Sequence, residues 1–140
     1  KNHMSAIKAD GSRQMVWENK ERLYVPSLVI KDGYLYGVLD EGIAMCWQAE
    51  TGKQMWKSRL GGTFSSSPVL VGDKIYVTNE AGDFFVFAAN PTKFERLAKD
   101  QIGEEVLATP GIAGGRIYHR VAHRDENGAR QEVLYCFGTD

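Results

Sequence analysis

Three stretches of this chain repeat one pattern: KDGYLYGV at 31–38, VGDKIYVT at 71–78 and AGGRIYHR at 113–120. Each is a turn of small or charged residues, then an apolar residue, then a tyrosine. Tyr36, Tyr76 and Tyr118 stand 40 and 42 residues apart, and Pro26, Pro68 and Pro110 are 42 apart both times. Ten residues separate Tyr36 from Cys46 and Tyr76 from Val86, with Gly42 and Gly82 at matching places. A period of about 40 residues made of short strands is the signature of a β-propeller, one four-stranded antiparallel sheet per unit.

Within the first complete unit the strands read as LVI (28–30), YLYGV (34–38), IAMCWQ (43–48) and KQMWKS (53–58). Asp32-Gly33 and Glu41-Gly42 close hairpins, glycine supplying the positive φ that tight turns need. The second unit gives strands at 69–71, 74–78, 83–89 and 93–98. In the third, GRIYHRVAHR and ARQEVLYCFG form a longer hairpin closed by Asn127-Gly128. Two strands near 3–8 and 14–18 precede the first full unit. No stretch has a helical period, so the chain is expected to be all-β: a partial β-propeller of two full and two incomplete blades. The blades divide at 1–25, 26–66, 67–109 and 110–140, all within one propeller domain.

Composition adds exclusions. A net charge of −1 over 140 residues gives no general attraction to nucleic acid or an anionic membrane. No apolar run approaches the ~18 residues of a spanning helix, and KNHMSAIKAD is not a signal peptide. A start at Lys1 suggests processing or excision from something longer.

The segment AETGKQMWKSRL (49–60) sets Thr51-Gly52-Lys53 ahead of Trp56. It is not a phosphate loop, which needs a further glycine upstream and a helix behind the Gly-Lys. The run Cys46-Trp47-Gln48-Ala49-Glu50-Thr51-Gly52-Lys53-Gln54-Met55-Trp56 resembles the tryptophan motif of the pyrroloquinoline-quinone-like (quinoprotein-type) propeller repeats, Ala-x-Asp-x-x-Thr-Gly-Lys-x-x-Trp. The second half is intact, while Cys46 and Gln48 replace the Ala and Asp. A weaker copy, AIKADGSRQMVW, places Ala6 and Trp17 around Asp10-Gly11. The second full unit keeps Lys93 and an apolar Leu97 near the tryptophan position.

That resemblance implies that Trp56 staples neighbouring blades and that Thr51, Gly52 and Lys53 form a turn. It also implies rings that typically close with eight blades. The strand count here, two, four, four and three, then reads as a fragment of a larger propeller, or as one of several copies completing a ring between chains. The family includes quinone-dependent alcohol and sugar dehydrogenases, in which a quinone and calcium sit with a catalytic aspartate in the central funnel, often under a vicinal cysteine pair. It also includes scaffolds without cofactor, such as an outer-membrane assembly lipoprotein and kinase sensor domains. This chain has no Cys-Cys pair and no motif-marked aspartate, which favours the scaffold branch with no catalytic, cofactor or metal residue. The alternative is a fragment of a quinone-dependent alcohol or sugar dehydrogenase whose cofactor site lies outside this segment or is absent. By resemblance the location is periplasmic or otherwise extracytoplasmic.

Other chemistry is thin. Cys46 and Cys136 are 90 residues apart without paired ligands, so they read as two buried strand thiols rather than a zinc site. His119 and His123 lie on one strand face about 13 Å apart at ~3.3 Å per residue, too far to share a metal, and read as solvated. Ser65-Ser66-Ser67 before Pro68 is loop chemistry, lacking a nucleophile elbow.

The remaining pattern is acidic. Turns between second and third strands carry Asp40 and Glu41, then Glu80, then Asp125 and Glu126. Glu104 and Glu105 belong to a blade connection on the same rim, while Lys31, Lys53 and Lys93 mark the other. A rim of one charge sign would draw a cationic segment of a protein partner or a divalent ion. The expected function is a non-catalytic scaffold for protein–protein interaction. Its partners would be a protein with a cationic segment and the remaining blades or further copies, with neither nucleic acid nor a membrane span involved.

Overall fold

A computed structural model describes residues 3–138. Thirteen strands, and no helix, are found among them. The first sheet pairs β1 (Met4–Ile7) with β2 (Met15–Asn19). The second is β3 (Val29–Lys31), β4 (Tyr34–Val38), β5 (Ile43–Gln48) and β6 (Gln54–Arg59), hydrogen-bonded in that order. The third is β7 (Val69–Val71), β8 (Lys74–Thr78), β9 (Asp83–Ala88) and β10 (Arg96–Gln101), again sequential. The last holds β11 (Gly111–Ala113), β12 (Arg116–Arg124) and β13 (Arg130–Phe137). All pairings are antiparallel, and the whole is an open, incomplete propeller, as the repeat predicts.

The repeat register is visible in the ladders. Tyr36 faces Cys46, Tyr76 faces Val86 and Tyr118 faces Cys136. One strand differs from expectation: the outer strand of the third sheet runs 96–101 rather than 93–98. Every residue of β10 is exposed, so no apolar alternation marks it in the sequence; its place is set by pairing with β9, with a register shift between Arg96 and Ala98. That pairing puts Ala98 opposite Val86, where the second sheet has Trp56 opposite Cys46. The tryptophan position of the third sheet is therefore Ala98, not Leu97.

Apolar side chains fill the spaces between sheets. Tyr36, Val38, Ala44, Cys46 and Trp56 of the second sheet pack with Ile75, Val77, Phe85 and Phe87 of the third, and with Phe64 from the connection. Leu39, Met45 and Trp47 cover the other face of the second sheet, against Met4, Leu23 and Leu28. Sandwiched sheets are buried on both faces, hence the near-continuous apolar run of β5.

Among the hydrogen bonds that join the sheets, two sets lie in the connections between them. Near the first strands, the Ser27 N–H donates to Ser67 Oγ (2.9 Å) and the Ser67 N–H to Thr109 Oγ1 (2.9 Å). The three residues neighbour the buried Pro26, Pro68 and Pro110. On one rim, connections 60–64 and 102–106 bond to turns on both sides. Leu60 N–H donates to Gly42 O, Phe64 N–H to Asp40 O, and Glu80 N–H to Thr63 O. The set recurs as Ile102 to Gly82, Val106 to Glu80, and Ala122 to Glu105. A Cβ on Gly42 would lie 2.5 Å from Gly62 O, and φ is +77° there, so only glycine permits this approach.

Candidate functional site

The tryptophan motif joins neighbouring sheets. Trp17, on β2, donates Nε1–H to Ala49 O (2.8 Å) in the β5–β6 turn and lies over Gly52, whose Cβ would meet the indole at 2.6 Å. Thr51 Oγ1 donates to Gln48 Oε1 (2.8 Å) and accepts from Lys53 N–H, shaping that turn. One sheet on, Trp56 is 8% exposed and donates Nε1–H to Asn90 O (2.7 Å) in the β9–β10 turn. Its ring meets Phe94 and Phe87 edge-on at centroid distances of 5.5 and 6.3 Å, and Tyr36 at 6.1 Å. Each indole thus covers a turn of the following sheet and satisfies its carbonyl, which is structural work.

The rim connections bring Asp40, Glu80, Glu104 and Glu105 onto one side of the molecule. Each of these four carboxylates has a donor from the chain itself. Asp40 accepts the Tyr24 and Val25 N–H groups (2.8 and 3.1 Å), and Glu80 accepts the Ser65 hydroxyl (2.6 Å). Glu104 accepts Arg124 N–H (2.6 Å), and Glu105 pairs with Arg130 (3.2 Å). Asp125 caps its own hairpin through Asn127 and Ala129 N–H, which hold its carboxyl below the usual carboxylate range. Glu41 and Glu126 are exposed, with no hydrogen bond or ion pair among the described residues. Glu41 borders an open hollow of about 570 Å³ lined by Lys20, Glu21, Arg22, Tyr24 and Asp40.

The recurrence of acids is less regular than the sequence suggests. In ladder register the counterpart of Asp40 and Glu80 in the last sheet is Ala122, and the β12–β13 hairpin carries Asp125 and Glu126 beyond it. The opposite rim is mixed: Lys31 pairs with Asp73 and Asp32. Among the described residues no three His, Cys, Asp or Glu side chains converge on a point that could hold a metal ion.

Two expectations are corrected. Cys46 is buried, and burial pushes its thiol up to about 11, but Cys136 is exposed because β13 is an uncovered edge strand on a bare sheet face. His119 is fully buried rather than solvated, because its side of β12 faces the third sheet; its Nε2 lies 2.7 Å from Thr78 Oγ1. His123 is half-buried and bonded to the Tyr135 hydroxyl (3.0 Å). Ser66 is buried as well, donating to Thr78 O and accepting Thr78 N–H.

A sequence profile of the protein family described as outer membrane protein assembly factor BamB matches residues 1–93. The chain belongs to this PQQ-like repeat family. Comparison with curated protein sequences gives no match. Among solved structures, BamB from Moraxella catarrhalis is similar over 95% of this chain and 37% of its own, at TM-score 0.66 and 12% identity. A quinohemoprotein alcohol dehydrogenase, ADHIIG from Pseudomonas putida HK5, is similar over 86% of this chain and 25% of its own, at TM-score 0.66 and 13% identity. A europium-containing methanol dehydrogenase is similar over 71% and 21%, at TM-score 0.57 and 21% identity. The fold is thus shared by an assembly factor and by enzymes, and the chain spans well under half of each.

The dehydrogenase branch would bring a quinone and calcium into the central funnel. The first strands of the full and last sheets read VIK, VLV and GIA, without a carboxylate, and β7 touches β11. Cys46 and Cys136 stand in different sheets, so they form no vicinal pair. The carboxylate and vicinal cysteines that the resemblance associates with that group are thus not found at these positions among the described residues.

Proposed function

We propose that this chain is part of a non-catalytic, extracytoplasmic propeller scaffold that binds a protein partner through its acidic rim. Membership of the BamB family supports the scaffold reading, and the rim supplies the chemistry. The observation that carries it is the pair Glu41 and Glu126: exposed carboxylates on the turn side of two sheets that form no ion pair among the described residues, although Lys20 and Arg22 line the hollow beside Glu41. A lysine- or arginine-bearing segment would supply a pairing cation. A divalent ion is less well served, since the rim acids are spread along the blades and four of them already accept donors from the backbone or a hydroxyl.

The test uses the full chain and a synthetic peptide of alternating lysine and serine. Glu41→Gln with Glu126→Gln is compared with Glu50→Gln and Glu95→Gln, which change net charge equally from the opposite rim. The rim variant should bind several-fold more weakly at 0.1 M salt. The difference should vanish at 1 M, as the Debye length falls from ~10 to ~3 Å. Equal binding by the two variants at 0.1 M salt refutes the rim as the recognition face.

A further inference from the structure

The junctions between sheets are not chemically alike. Where the first sheet meets the second, and the second the third, an indole N–H crosses to the neighbour's turn. Where the third meets the last, the tryptophan position holds Ala98. A cavity of about 220 Å³, lined by Phe84, Asp100, Ile102, Ile117 and Phe137, lies at this junction. A buried bond between two side chains also spans this junction, Thr78 Oγ1 to His119 Nε2. In register, Thr78 and His119 replace Val38 and Val77, which are buried together in the core between the second and third sheets.

We propose that the Thr78–His119 pair is an acid-sensitive latch holding the last sheet to the third. Ser66 fixes Thr78 from behind by accepting its N–H and donating to its carbonyl. The His119 Nδ1 is buried and has no hydrogen-bond partner among the described residues. The neutral tautomer with Nε2–H donating to the threonine oxygen leaves only a bare lone pair there. Protonation would instead place an N–H and a full charge in a buried site beside Phe84, whose ring meets the imidazole edge-on at 6.1 Å, with the Arg120 backbone offsetting only part of the cost.

Burial holds the His119 pKa below the ordinary histidine value, with the Arg120 backbone opposing that shift. The ionisable groups on the surrounding elements are Lys74 and Tyr76 on β8, Asp83 on β9, and Arg96, Lys99 and Asp100 on β10. Glu80 follows β8 and Glu104 and Glu105 lie on the connection, while Arg116, Tyr118, Arg120, His123, Arg124, Arg130, Glu132, Tyr135 and Cys136 lie within its own sheet. None of their side chains hydrogen-bonds the His119 ring, and Asp83 is engaged by Lys99 at 3.0 Å. With the closed-state pKa lowered, the open state binds the proton better, so closure is complete above ~6.5 and weakens as pH falls below it. One proton allows the open fraction to grow by up to about tenfold per pH unit in that window, with no further change below the closed-state pKa.

The test is an NMR titration of the full chain from pH 7.5 to 4, following the imidazole of His119 and amides of β8 and β12. His119 should titrate below the ordinary range. Hydrogen exchange at β12, corrected for intrinsic rates, should rise with its protonation while amides between the second and third sheets stay protected. His119→Val, which installs the residue the third sheet already carries in register, should remove that response, whereas His123→Gln should keep it. A His119 that titrates near 6.5 without change at β12, or the same acid response in His119→Val, overturns the proposal. The wild-type titration stands alone if the valine variant does not fold.

Discussion

Replacing Trp56 by alanine is the perturbation whose cost can be worked most directly from the structure. The ring is buried to 92% between two sheets and contacts Tyr36, Phe87 and Phe94. Truncating a large buried aromatic costs about 3–5 kcal/mol, the spread reflecting how far the site collapses. Collapse is restricted here, because the walls are rings anchored on two separate sheets. Losing the Nε1–H bond also leaves Asn90 O without its donor, at a further ~1 kcal/mol. Denaturant unfolding followed by circular dichroism should therefore show a midpoint drop equivalent to roughly 4–6 kcal/mol. Trp56→Phe separates the contributions: it keeps a ring and loses the bond, so it should cost about 1–3 kcal/mol. An alanine variant with the wild-type midpoint, or a phenylalanine variant as damaging as alanine, would show that the indole does not staple these sheets.

Gly42→Ala should cost more than the ~1 kcal/mol of an ordinary backbone penalty, because the new Cβ strikes the Gly62 carbonyl at a positive φ; thermal melts compared with Gly33→Ala, where the Cβ meets open space, isolate the clash. In the native chain iodoacetamide should label Cys136 and leave Cys46 unmodified until unfolding, as mass spectrometry of tryptic peptides would show, since Cys136 is exposed whereas Cys46 is buried with its thiol pKa raised. Asp125 has a lowered carboxyl pKa, so its support of the β12–β13 hairpin is complete above ~3.8 and is lost as pH falls through the lower folded-state value. Exchange at the Asn127 and Ala129 amides should accelerate only in that acid range.

The strands were legible wherever the apolar pattern and the turn glycines coincide. YLYGV and IAMCWQ sit at 34–38 and 43–48 in sequence and structure alike. β10 was misplaced by three residues because its sequence, RLAKDQ, has no buried face to create a pattern. His119 was missed for a different reason. Alone it looks like any polar strand residue, but ladder register equates it with Val77, a buried position, and the tyrosine repeat carried that information. Cys136 could not be read this way, since its exposure depends on which neighbour covers the sheet and not on its own strand. The rim acids were placed on one side by strand alternation, but their engagement with backbone N–H groups depends on how the connections fold back, which no local pattern encodes.

The serine–threonine links beside the prolines have a bearing on how such a chain can change length. Each link needs a hydroxyl at a fixed step from one sheet to the next, so an insertion or deletion of a few residues between Ser27 and Ser67, or between Ser67 and Thr109, risks pulling a donor away from its acceptor. Duplication of an entire unit copies donor and acceptor together and leaves every link intact. Small insertions are absorbed best at the far end of a hairpin, and the long β12–β13 hairpin illustrates the tolerance: it extends past Ala122 while Thr109 stays in register with Ser67. The expected signature in related chains is growth and loss by whole sheets, with residue-scale variation gathered at the hairpin tips.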